Sequence, residues 1–289
     1  MRFAWSVLIF AAAVSAGGFL LSVMFWSQHF GTELMAVWTL CVSIVMVRFL
    51  EQRPVSTLGF GWTIFAARQG IGGLAVGGGL VSVVMIVTGL LRYAEFEARS
   101  LTALQAFDIL GTQFVFCVAG AAIEELICRG YPFQLALERG PTSVAVIGFS
   151  LVFALAHLGN PNVNAFAIVN TFLAGVWFAV AYLRTRQLWL PLALHASWNF
   201  ALGNVWGAEV SGQGSSMHIL TTHTFGPTWL TGGAYGIEAG ALCTAAVLVG
   251  IALVSWMKLF QISPDQFALL HRVRYAEDYA VVHSLEPDA

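Results

Sequence analysis

Apolar runs of about twenty residues recur along this chain, and a run of that kind has few ways to fold. About 20 apolar residues in a helix cross the hydrocarbon core of a bilayer. Within that core every backbone N–H and C=O has to be bonded inside the protein. Eight such runs stand out by hydropathy, at roughly 3–26, 34–50, 71–91, 104–128, 142–158, 164–183, 188–204 and 232–257. With 58% hydrophobic and only 10% charged residues, the chain falls far below the roughly 25% charge of ordinary soluble domains. The expectation is an all-α membrane protein, a polytopic bundle of about eight transmembrane helices. Residues 1–258 form the transmembrane domain and 259–289 a cytoplasmic tail. A net charge of −2 argues against nucleic acid as a partner. Cys41, Cys117, Cys128 and Cys243 are scattered and read as small apolar side chains. Ala13-Val14-Ser15-Ala16 is similar to a cleavage site, but the run continues to Trp26, which favours an uncleaved first helix.

Basic residues orient the series. With both ends on one side, Arg2, Arg48, Arg53, Arg68, Arg129, Arg139, Arg184, Arg186, Lys258, Arg272 and Arg274 fall there, against Arg92 and Arg99 opposite. Cytoplasmic loops carry the excess of Lys and Arg, so both termini are expected in the cytoplasm.

Against this apolar background Glu124, Glu125 and Arg129 stand close together. An ionisable residue inside a membrane is costly, and by default it marks a functional site. Glu125 and Arg129 are i and i+4, on one helical face in the favourable acid-first order. Glu124 is rotated by about 100° and is left without that partner. Two later runs hold His157, four residues after Phe153, and the pair His195 and Asn199, again four apart. A lone histidine in an apolar helix is most simply a hydrogen-bonded packing residue, so the weight lies on the combination. If the helix carrying Glu124 continues to the Gly140-Pro141 turn, Glu124 and His157 lie at nearly the same height, differing by about 3 Å at 1.5 Å per residue. His195 is then offset by about 10 Å. The offset closes if the Arg139 turn projects farther into the cytoplasm, with Pro191 able to tilt or kink the later helix.

Other features carry simpler expectations. Gly72, Gly73, Gly77, Gly78 and Gly79 form a close helix-packing face. The stretch from Arg53-Pro54 to Trp62 is a turn-rich connector, and 205–230 is a polar loop in which His218 and His223 read as solvated side chains, with a metal role as the less favoured alternative. Glu238 is either interfacial or a wall of the site cavity. Ser263-Pro264 reads as an N-cap followed by Pro at N1, opening a short helix through Arg274.

The ordered set Glu124-Glu125-x-x-x-Arg129, Phe153-x-x-x-His157 and His195-x-x-x-Asn199 resembles the CAAX protease and bacteriocin-processing family of intramembrane proteases, whose eukaryotic members trim prenylated proteins. The resemblance is best over roughly 105–200, and Thr231 to Glu238 is similar to a stretch of many bacterial members, giving a family-like core of about 105–240. It implies a multi-pass protein of the bacterial plasma membrane. It also implies that Glu124, His157, His195 and Asn199 carry catalysis, with Glu125 and Arg129 in support.

Hydrolysis of an amide inside a bilayer needs a captive water, a base and a donor for the developing oxyanion. Glu124 suits the base, Asn199 the oxyanion donor, and the two histidines either orient the water or ligate a metal. Glu124, His157 and His195 with a water form a common open zinc set, so a divalent ion, zinc by ligand type, is the implied alternative. The expected partners are the lipid bilayer and a membrane-associated or prenylated peptide. Two other readings are a proton-coupled secondary transporter, against which no inverted repeat is visible, and a non-catalytic immunity or binding protein on the same scaffold.

Overall fold

The structure, a computed structural model, describes residues 2–24 and 31–273. All eight apolar runs have helical centres. The helices are α1 (Arg2–Met24), α2 (Gly31–Val45, continued by a π turn Met46–Leu50), α3 (Ile64–Leu90), α4 (Ala103–Cys128), α5 (Tyr131–Arg139), α6 (Thr142–Ala156), α7 (Ala165–Thr185), α8 (Trp189–Phe200, continued by a π turn Ala201–Val205), α9 (Thr228–Thr231) and α10 (Ala241–Trp256). Among the described residues five helical stretches, Phe3–Val23, Gly31–Leu50, Ile64–Leu90, Ala103–Arg139 and Ala165–Thr185, are long and apolar enough to cross a membrane. α6 and α10 are shorter, at 15 and 16 residues. The last run is the most altered. Residues 233–239 form two 3-10 turns punctuated by Gly232, Gly236 and Gly240, so α10 starts nine residues later than its apolar composition suggests. The expected uncleaved extension of the first run to Trp26, and the end of the tail at Arg274, lie outside the described residues.

α4 does not continue unbroken to the Gly140-Pro141 turn. It stops at Cys128, and α5 restarts at Tyr131 with Pro132 in its first turn. Proline lacks the N–H that an unbroken ladder would need. A Cβ on Gly130 would lie 2.2 Å from the Leu126 carbonyl oxygen, so only glycine admits this tight join. Phe133 of α5 packs edge-on against Tyr182 near the end of α7, with centroids 5.7 Å apart. α5 thus packs beside the last turn of α7. Pro191 sits in the first turn of α8, where a missing N–H costs nothing, so it supplies no kink.

The glycine face of α3 seats α8. A Cβ on Gly73 would meet Ala193 Cβ at 2.8 Å, and one on Gly77 would meet the Leu194 carbonyl oxygen at 2.3 Å. Gly72 meets Phe260 in the same way, whereas a Cβ on Gly79 meets nothing within 4 Å. The close-packing face is therefore Gly72, Gly73 and Gly77, and it presses the backbone of α8 to within one atom's breadth of α3.

The two ends of the bundle differ. At one, Arg53 pairs with Glu138 at 2.7 Å, Leu188 N donates to the Gly59 carbonyl, and Gln266 Nε2 donates to the Arg186 carbonyl. The described part of the tail, 259–273, is docked here: Ser263 caps the helical segment 264–273, its Oγ accepting from Gln266 N, and Phe260 is fully buried. At the other end β1 (Ala94–Ala98) pairs antiparallel with β2 (Leu220–Thr224), with Glu95 opposite His223. β2 falls in the stretch read from sequence as a polar loop, and β1 between two apolar runs. Arg99 Nη1 ties it to the Ser216 carbonyl.

Candidate active site

Residues from α4, α6, α7 and α8 converge where the apolar periodicity is interrupted by charge. Glu125 and Arg129 pair as their spacing predicts, Arg129 Nη1 donating to Glu125 Oε1 at 3.1 Å, with both side chains at most 2% exposed. The guanidinium has further support. Its Nη2 donates 2.8 Å to the Gly175 carbonyl of α7, and its Cζ lies 4.6 Å from the Phe153 ring centroid. A buried ion pair leans on further partners for its remaining donors and acceptors. The α7 backbone takes Nη2 and two aromatic faces flank the guanidinium, while Arg129 Nε and Glu125 Oε2 have no hydrogen-bond partner among the described residues.

His195 completes the arrangement. Its Nδ1 lies 2.9 Å from the same Glu125 Oε1. A carboxylate that already accepts from arginine can only accept, so Nδ1 carries the proton and donates. The imidazole stacks on Phe178 at 4.7 Å and 16°, and Phe153 meets it edge-on at 5.8 Å. Held on three sides, the ring turns its Nε2 toward Glu124, whose Oε2 is 3.7 Å away. That gap is too long for a direct hydrogen bond and suits one bridging water. Glu124 is the looser of the two acids, its side chain 39% exposed.

His157 is the C-cap of α6, and its Nδ1 lies 2.8 Å from the Phe153 carbonyl oxygen. An acceptor-only partner again places the proton on Nδ1. In the neutral rings of both histidines Nε2 is therefore the free atom. Glu124, His157, His195 and Asn199 all line one cavity of about 700 Å3, and the structure brings all four predicted residues to it. A small second cavity of about 40 Å3 shares His157, His195 and Asn199 with the first, and Glu238 forms part of its wall.

Among the described residues no three His, Cys, Asp or Glu side chains are gathered closely enough to hold a metal ion. Glu124, His157 and His195 have the right donor chemistry but do not form a ligand cage as they stand. His218 and His223 do not form one either.

Three features were not legible in the sequence. Glu125 holds His195 as well as Arg129, so it orients the imidazole besides bracing its own helix. Glu238 accepts from the Trp198 indole at 2.8 Å and, through Oε2, from the backbone N–H of Ser211. Asn160 Nδ2 donates 3.0 Å to the Ser211 carbonyl. These two residues pin both sides of Ser211, which opens the loop over the cavity mouth. The only sequence signal was Glu238 itself, a carboxylate beside an apolar run.

The family comparison falls on the same segment. Residues 106–201 match the family described as Type II CAAX prenyl endopeptidase Rce1-like. "Putative membrane peptidase YdiL" of Bacillus subtilis (strain 168) is 26% identical over 139 residues, 48% of this chain. The match spans about half of that relative's length, 51%. No solved structure matches the chain. The segment that supplies Glu124, Glu125, Arg129, His157, His195 and Asn199 is thus Rce1-like, similar to the type II CAAX prenyl endopeptidases.

Proposed function

We propose that this protein is an intramembrane endopeptidase that hydrolyses a peptide bond of a membrane-associated or lipidated, CAAX-like peptide. The observation that carries this reading is the placement of His195 between two carboxylates, Nδ1 on Glu125 at 2.9 Å and Nε2 facing Glu124 at 3.7 Å. A water between Glu124 Oε2 and His195 Nε2 has an acceptor for each of its protons, which leaves an oxygen lone pair for attack. Glu124 takes one proton as the water oxygen bonds to the substrate carbonyl carbon, and it returns that proton to the departing amine. Asn199, one turn beyond His195 on α8, supplies the amide donor to the oxyanion, and His157 Nε2 faces the same space. Glu125 and Arg129 touch neither water nor substrate and act by positioning His195.

His157 and His195 Nε2 atoms with Glu124 would also hold a divalent ion, zinc by ligand type, which when bound supplies Lewis acidity at the carbonyl. The buried acid and histidines suit a proton relay as well. The cavity favours proteolysis over a relay, because about 700 Å3 is the size of a small-molecule or peptide site and far more than a proton path needs. The test is purified protein with prenylated and unprenylated peptides, with and without chelator, cleavage being read by mass. A defined product lost in Glu124→Gln supports the reading. Intact peptides in every arm, with proton flux in vesicles, would replace it with the transporter.

A further inference from the structure

The cavity has a side. Its walls come from Gln113 to Cys128 of α4, from the last turns of α6, from α8 with its π turn, and from the loop 210–216. No lining residue comes from the connectors 51–61, 130–141, 184–190 or 257–266, which gather at the opposite end of the bundle. The mouth therefore lies at the end that carries the β1–β2 sheet.

The two ends carry opposite charge. The closed end holds Arg48, Arg53, Arg68, Arg139, Arg184, Arg186, Lys258 and Arg272, against Glu51, Glu138 and Asp265. The open end holds Arg92 and Arg99 against Glu33, Glu95, Glu97, Asp108 and Glu209. Lys and Arg concentrate on the cytoplasmic side of membrane proteins, which makes the closed end cytoplasmic.

The mouth itself has two textures. Its rim is polar and uncharged, with Gln113, Gln213, Ser215 and Ser216. Its flank is apolar, where Phe116 and Gly120 of α4 face Val152 and Ala156 of α6, and Phe116 and Val152 are 45% and 51% exposed on the outside of the bundle. A neutral polar rim above an apolar side slot fits a peptide backbone whose anchor stays in the neighbouring leaflet.

We infer that the site receives its substrate from the extracytoplasmic face, as a membrane-anchored peptide held in the outer leaflet, and not as a cytosolic tail. The inference rests on the peptidase reading for what happens to the peptide and on charge and cavity geometry for the side.

Two measurements on the full chain separate these supports. Ser215→Cys reports the rim and Gly140→Cys the closed end, each read as a mass increment over wild type with a membrane-impermeant maleimide. Ser215→Cys should be modified in spheroplasts and Gly140→Cys only in everted vesicles. A charged peptide anchored by one acyl chain should be cleaved by spheroplasts and spared by everted vesicles. Reversed labelling, or cleavage confined to everted vesicles, overturns the inference. Outward labelling with no cleavage in either orientation overturns the peptidase reading and the substrate assigned with it.

Discussion

His195 Nδ1 donates to Glu125 Oε1 at 2.9 Å, a bond that joins α8 to α4 across 70 residues of chain. The same oxygen accepts from Arg129, so one buried carboxylate sets both a cation and the imidazole that faces Glu124. Glu125→Gln leaves Arg129 uncompensated and should destabilise the protein by about 3–5 kcal/mol, the cost of breaking a buried pair from one side. Turnover should fall as well, because a neutral amide no longer specifies the Nδ1–H tautomer. The check is a thermal melt in detergent beside the rate per folded molecule.

Glu124→Gln should behave differently. Its side chain is partly exposed and its ionisable neighbour His195 lies at 3.7 Å, beyond direct hydrogen bonding, so the melt should stay at the wild-type midpoint. Turnover should fall by at least about 100-fold, the lower range for a lost general base. Equal stability and equal activity loss in the Glu124 and Glu125 variants would show that the two acids do not divide their work in this way.

Gly77→Ala and Gly79→Ala form a matched pair on one helix. A methyl on Gly77 would lie 2.3 Å from the Leu194 carbonyl oxygen and 2.4 Å from Ser197 Oγ, whereas Gly79 has open space. Gly77→Ala should push α8 from α3 and cost about 1–3 kcal/mol by overpacking. It should also lower turnover by moving His195. Gly79→Ala should leave both melt and turnover unchanged.

Glu238→Gln tests the pin on the cavity rim. A glutamine cannot accept from both the Trp198 indole and the Ser211 amide with its two terminal atoms, since one of them is a donor. Release of Ser211 should raise KM with little change in kcat, and limited proteolysis should cut sooner within 211–216.

Dialysis against a chelator addresses the metal. Under the glutamate-activated water proposed here, turnover should persist. Loss on chelation, restored by zinc and not by magnesium, would assign the ion to Glu124, His157 and His195.

Much of this was legible in the residues before any coordinates. Apolar runs of span length admit only internally bonded backbone, which is why the helices appear where hydropathy puts them, and five of them have the length to cross alone. The Glu125–Arg129 pair follows from a spacing of four on one helix, and the Ser263 cap from local hydrogen bonding. These are short-range consequences of chain geometry. The site needed the tertiary structure, because its contacts cross from one helix to another. That His195 meets Glu124 depends on the Glu125 bond that ties α8 to α4 and on Gly73 and Gly77 drawing α8 onto α3. The β1–β2 sheet was hidden for a related reason: β1 alternates apolar and acidic residues over five positions only, β2 carries no such alternation, and the two strands lie more than a hundred residues apart. The side on which the cavity opens was decided the same way. Composition sets which end is basic, but only packing sets which end is closed.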